Sequence, residues 1–318
     1  MVEKPDIDTL MAGPLGAWLR EQEVARETAK QKTKSRRFNG LLAAIPVFAI
    51  IWVFLPMDMD TKFWVSGAIV LAIFAWAEIP KRQAVRKVKI GINEALAGAL
   101  GFAYEHDCEG SQAFSLCETH RLVPNYDRSS FEDRWSGMLG GLPFAVHEAK
   151  LEERRGSGKN RRWVTVFRGV IMQVGFDRKF HGTTVLVEDR AHSGFFGGRK
   201  DSVTLGGQQL EHVEMVHPEF EDAFDIYSND QVEARYIVHP AYVERLIALE
   251  KAYQGEDIRT LFHQGDLVVA LKARNMFESG SIEASDDRAR IVQTIDQFAR
   301  LAELAAVLNE RSEVPPSA

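Results

Sequence analysis

The chain has 318 residues, 45% of them hydrophobic and 26% charged, which is enough for one large domain or two small ones and too apolar for global disorder. A net charge of -6 and a pI near 5.9 argue against a general nucleic-acid binder, which carries a basic face. Two cysteines are too few for a disulfide scaffold.

The chain opens with PLGAWLREQEVARETAKQKTKSRR, which has good helix formers and no glycine after Gly16. A partner-binding coiled coil is the alternative, but the apolar positions are too sparse for a sustained heptad, so residues 1–37 are expected to hold a charged, solvated helix on the cytoplasmic side. Two apolar runs follow, LLAAIPVFAIIWVFL at 41–55 and FWVSGAIVLAIFAWAEI at 63–79. A bilayer span needs about 20 apolar residues, and each run approaches that length with its flanks. Both runs are apolar all round, where a soluble surface helix would show one stripe. Trp52, Trp64 and Trp76 suit membrane boundaries, and proline at Pro46 is tolerated in such a span. The competing reading is a buried core hairpin.

Residues 38–80 are therefore expected to form a transmembrane hairpin closed by the short loop MDMDTK. Basic clusters flank it: Lys30, Lys32, Lys34, Arg36 and Arg37 before, and Lys81, Arg82, Arg86, Lys87 and Lys89 after. The positive-inside rule then puts both termini in the cytoplasm, with the flanks beside anionic lipid headgroups. The first run starts too far from residue 1, and lacks a small-residue cleavage site, for a signal peptide.

Residues 81–310 read as a cytoplasmic α+β domain, a mostly antiparallel sheet with packed helices; residues 311–318 read as a frayed tail. GINEALAGALGFAYE is a helix ending near Gly101, and SQAFSLCETH a second, short one. Strands begin with LPFAVHEAKLEE and WVTVFRGVIMQVGF, joined by the basic, glycine-rich RRGSGKNRR. GTTVLVED, LEHVEMVH and AFDIYS follow, and DIRTLFHQGDLVVALKA is a hairpin turning at Gln264, Gly265 and Asp266. In the closing helix Ile291, Ile295, Phe298, Leu301, Ala302, Ala305 and Leu308 share one face, with Ser285 as the expected cap.

Between these elements lies FEDAFDIYSNDQVEARYIVHPAYVERL at 220–246, dense in acids, arginines, a histidine and a tyrosine. The structural interpretation is strand residues Phe224 and Ile226, a turn at Ser228, Asn229 and Asp230, strand residues Tyr236 and Val238, then a helix opening at His239–Pro240. Arg235 is placed to pair with Asp225 or Glu233. The functional interpretation makes Asp230, Arg235 and His239 a binding or catalytic set.

Two other constellations stand out. His106, Cys108, Cys117 and His120 offer two thiols and two imidazoles, enough for tetrahedral zinc, but H-x-C and C-x-x-H eight residues apart is not a standard finger spacing, so no metal or other cofactor is expected. Phe195 and Phe196, with Arg199 and Lys200, form an aromatic and cationic loop suited to a membrane surface or tucked into the domain. Phosphate-cradling GxxxxGK[ST], GxSxG and HExxH patterns are all absent from the sequence.

VFRGVIMQVGFDRKFHGTTVLVED at 166–189, the segment at 220–246, and the hairpin with MFES at 257–279 resemble an uncharacterised bacterial membrane-protein family, a domain of unknown function. The resemblance spans roughly residues 35–300. It implies an inner-membrane, multi-pass layout and a LemA-like membrane-protein partner, and it supplies no catalytic residues. The resulting expectation is a non-enzymatic binding or scaffolding protein whose partners are the bilayer, anionic headgroups and another membrane protein, with no nucleic acid. The alternatives are a membrane-tethered enzyme using Asp230, Arg235 and His239, and a lipid-surface sensor.

Overall fold

The computed structural model describes residues 6–176, 180–188, 200–215, 224–273, 277 and 279–312, side chains excepted at 159 and 308–312. The fold is α+β, and the chain divides into two compact units.

The first unit comprises residues 6–95 and 279–291. Helix α1 (Ile7–Ala12) is capped by Asp6, whose carboxylate accepts from the Asp8 and Thr9 amides. Two long helices follow, α2 (Pro14–Val53) and α3 (Met59–Leu100). Each therefore runs uninterrupted through the domain boundaries expected at residues 37 and 80. Asp58 opens α3 by accepting from the Thr61 amide at 2.9 Å. Gly101, at φ +72°, ends it in the left-handed conformation that glycine adopts freely.

The amino-terminal part of α2 is not solvated all round, contrary to the sequence expectation. Leu15, Leu19, Gln22, Arg26, Ala29 and Thr33 are buried, at alternating spacings of four and three. That is a heptad seam with polar members, which a search for apolar residues overlooks. Trp18 lies on α3 at Gly91, where a Cβ would come within 2.2 Å of the indole. Arg26 makes a bidentate pair with Asp287 at 3.0 and 2.7 Å. Lys30 donates to Glu283 at 2.8 Å, and Arg288 pairs with Asp8 at 2.7 Å. Further along, Gly40 and Ala44 make a small-xxx-small edge. A Cβ on Gly40 would come within 2.6 Å of Ile73.

The second unit comprises residues 96–277 and 292–312. Its strands are β1 (Ala103–Asp107), β2 (Arg128–Leu139), β3 (Leu142–Arg155), β4 (Arg162–Gly175), β5 (Thr184–Glu188), β6 (Ser202–Leu205), β7 (Gln208–His212), β8 (Phe224–Ser228), β9 (Gly255–His263) and β10 (Asp266–Ala273). They form one sheet in the order β1-β2-β3-β4-β10-β9-β5-β8-β7-β6. All its pairings among the described residues are antiparallel. Its helices are α4 (Gln112–Thr119), α5 (Gln231–Ile237), α6 (Pro240–Ala252) and α7 (Asp287–Ser312), the last beginning in the first unit.

Both faces of the sheet's centre are covered, so β10 reads as an unbroken apolar run and not as an alternation. Val268 and Ala270 join Phe114 and Cys117 of α4 in one core. On the other face Phe298 of α7 packs on Trp135 and Phe277, ring centroids 4.8 and 5.5 Å away. Tyr242 of α6 packs on Phe262 and donates to Thr260 at 3.2 Å. The closing helix buries Ile291, Ile295, Phe298, Leu301 and Ala305 as expected. Ser285 is instead part of a short 3-10 turn at Ala284–Asp286 and donates to Asp286. The tail beyond residue 312 lies outside the described residues.

Candidate functional site

The segment at 224–246 is built differently from its sequence reading. Residues 231–237 form helix α5, not a returning strand. The cause is local: Asp230 is the N-cap, accepting from the Val232 and Glu233 amides at 3.1 and 2.9 Å. D-x-x-E is a helix-start signature, but here Glu233 turns elsewhere. Its carboxylate accepts from the His181 and Gly182 amides at 3.0 and 2.7 Å, which holds the start of the β5 approach. Asn229 accepts from the Thr183 amide at 2.7 Å.

Arg235 is exposed and donates to the Glu214 carbonyl and to Gln231, both at 3.2 Å; it does not reach Asp225 or Glu233. His239 is buried as the residue before Pro240, and its carbonyl accepts from the Tyr242 and Val243 amides. Among the described residues no hydrogen bond or ion pair joins Asp230, Arg235 and His239 to one another.

The four possible zinc ligands are dispersed. Helix α4 turns Cys117 into the apolar core, where burial pushes its thiol far above the usual range. Cys108 is half-buried and pushed up to about 11, again by burial. His120 lies tilted against His263, ring centroids 5.2 Å apart, and burial lowers the pKa of both. Among the described residues no group of three or more His, Cys, Asp or Glu could hold a metal ion. Phe195, Phe196 and Arg199 lie outside the described residues. Lys200 is exposed, its amide 3.3 Å from the Tyr227 hydroxyl.

The structure assembles a set that the sequence did not reveal. Asp133 is fully buried in β2 at φ +54°, where the register with β3 slips between Glu132 and Trp135. One carboxylate oxygen accepts from the Tyr104 hydroxyl at 2.6 Å and lies 2.7 Å from His106 Nδ1. A carboxylate only accepts, so the ring proton sits on Nδ1, which leaves Nε2 as the basic nitrogen. That nitrogen lies 3.8 Å from Asp107. The sequence signal was faint: an aspartate inside a strand, a residue type that tolerates the left-handed region at a bulge.

A second histidine is buried nearby in chain order. His147 Nε2 lies 2.8 Å from Ser111 Oγ, and Nδ1 lies 3.3 Å from the Glu148 carbonyl. Nδ1 therefore donates, and Ser111 donates to Nε2. Burial lowers its pKa to about 4, so it stays neutral. Ser111 also accepts from the Phe114 amide as the α4 cap, which gives the pair a structural use.

A family described as a protein of unknown function (DUF3137) matches residues 165–310, less than half of the chain. The match runs from β4 into α7 and contains the three blocks at 166–189, 220–246 and 257–279. No curated protein matches. Among solved structures, the mycobacterial trehalose monomycolate transport factor A, TtfA, is similar over 71% of this chain and 96% of its own, at 13% identity and a TM-score of 0.35.

Proposed function

We propose that this is an integral protein of the bacterial inner membrane, with two spans and both termini cytoplasmic, whose sheet domain binds a partner or organises a complex. One observation carries the anchoring: the most apolar windows of α2 and α3 are only 11% and 6% buried. A core helix of a soluble protein would have its apolar residues covered. Here Phe38, Ile45, Val53, Trp64 and Leu71 are exposed, and lipid is the solvent that removes that cost. Polar contacts join the two helices at the end that carries the basic flanks. Arg36 lies over the Trp76 ring at 4.7 Å, and Arg37 pairs with Glu78.

The binding role is supported by how the polar residues at 228–239 are used. Asp230 and Glu233 bond backbone amides, so each carboxylate has a use in building the domain. The partners proposed are the bilayer, its anionic headgroups at the basic flanks, and a LemA-like membrane protein. A cytoplasm-active reporter is expected to work before Asp6 and after Ala318, and a periplasm-dependent one only within residues 57–62. A cytoplasm-active reporter working in that loop overturns the orientation. Affinity capture from native membranes then tests the binding role, with a stable membrane-protein partner expected.

A tethered enzyme is a second reading, favoured by the Asp133–His106 pair. It predicts that His106→Asn leaves folding intact and abolishes a cellular phenotype.

A further inference from the structure

The densest positive charge in the sheet domain is at the β3–β4 turn. Arg154, Arg155, Lys159, Arg161 and Arg162 fall within nine residues that contain no acid, in a chain of net charge -6. The last rung with β2 is Arg128–Glu152, and the last with β10 is Gly169–Lys272. Among the described residues three further rungs, Glu153–Val164, Arg154–Trp163 and Arg155–Arg162, continue beyond them as a two-stranded arm, about 10 Å long at roughly 3.3 Å per residue.

The cations are not placed for the hairpin's benefit. Arg155 and Arg162 are direct cross-strand partners, and like charges in that position destabilise a pair of strands. Arg155 finds Glu153 at 2.7 Å. Arg154, Arg161 and Arg162 are exposed and have no ion pair among the described residues. Gly156, at φ +95°, keeps the turn tight, since a Cβ there would lie 2.4 Å from the Asn160 carbonyl oxygen. Beside them Trp163 is 42% exposed, with the Arg128 guanidinium 4.0 Å from its ring centroid.

An exposed indole among arginines suits a headgroup layer, where an amphipathic ring and phosphate-binding cations are both satisfied. Nucleic acid fits less well, because the chain as a whole is acidic. We propose that the hairpin tip, residues 154–163, docks on an anionic phospholipid surface. The inference rests on the anchoring reading, because tethering to the bilayer raises the effective concentration of that surface.

The test is hydrogen exchange of the full chain in nanodiscs of phosphatidylcholine alone or mixed with phosphatidylglycerol. Amides at 151–165 are expected to be protected only in the mixed discs, and added salt is expected to remove the protection. Each cation near such a surface contributes about fivefold, so Arg154→Ser with Arg161→Ser and Arg162→Ser should lower the docked population about a hundredfold. Unchanged exchange in β9 and β10 shows that the variant is folded. Equal exchange of the tip in both kinds of disc overturns the proposal. So does protection by polyglutamate or an oligonucleotide in neutral discs without protection by anionic lipid. A chain that does not enter discs at all defeats the anchoring reading. The same chain is then mixed with anionic vesicles, and an unprotected tip there defeats the hairpin proposal too.

Discussion

In residues 15–33 of α2 the buried side chains include Gln22, Arg26 and Thr33, whereas in residues 38–53 of the same helix Phe38, Leu42, Ile45, Ile50 and Val53 lie exposed. One helix thus follows two opposite burial rules. In its first part each buried polar group needs a partner, and Arg26 has the Asp287 carboxylate. In its second part apolar groups need a covering that the described residues do not supply. Burial on this helix is decided by what lies opposite each residue, and polarity alone misassigns both halves.

The strongest way to break the comparison is to strand the buried charge. Arg26 and Asp287 side chains are 2% and 4% exposed. Arg26→Ala should cost about 3–5 kcal/mol, because a lone buried carboxylate remains. Burial already raises the Asp287 pKa, and Arg26 opposes that rise. Without the arginine the pKa rises further, so the variant should recover stability as pH falls through it. Thermal unfolding of the full chain in detergent at several pH values checks both. A variant as stable as the parent at neutral pH would refute the buried pair.

Leu71→Arg tests the other half of the comparison on α3, where Leu71 is 72% exposed. If lipid surrounds it, the charge costs about 2.5–3.5 kcal/mol of insertion, and alkali-resistant membrane association should fall. If water surrounds it, the change is within about 0.5 kcal/mol.

His147 in the sheet domain carries a similar cost through protonation. Its folded pKa of about 4 lies below the ordinary 6.5. The unfolded chain takes up a proton first, so stability falls as pH drops from about 6.5 to about 4, by on the order of 3 kcal/mol. His147→Gln should flatten that part of the stability–pH curve.

The smallest effects separate two polar residues of one short helix. Asp230→Ala removes the α5 cap and should cost about 1 kcal/mol. Arg235→Ala, exposed and bonded only to Gln231 and a carbonyl, should stay within about 0.5 kcal/mol. Parallel denaturant titrations distinguish the two.

The sequence by itself determined the two apolar runs, the stop at Gly101, the β3–β4 and β9–β10 hairpins, and the apolar face of α7. Each of these rests on local signals: composition, a glycine in a turn, or a period of two or near 3.6. It also placed the strand Phe224–Ser228 and the helix start at Pro240. It misjudged α5, where the cap at Asp230 outweighed the strand-like Tyr236. Strands β1 and β2 carry little apolar alternation, because β1 is largely exposed and β2 is interrupted at Asp133.

Only the tertiary structure decided the rest. The seam through Arg26 depends on Asp287, 261 residues away. The Tyr104–His106–Asp133 set depends on a register slip between neighbouring strands. The dispersal of His106, Cys108, Cys117 and His120 follows from α4 turning one thiol into the core. Partners distant in sequence leave no periodic trace in it, so the function of a polar residue here became visible only once its neighbour was in place.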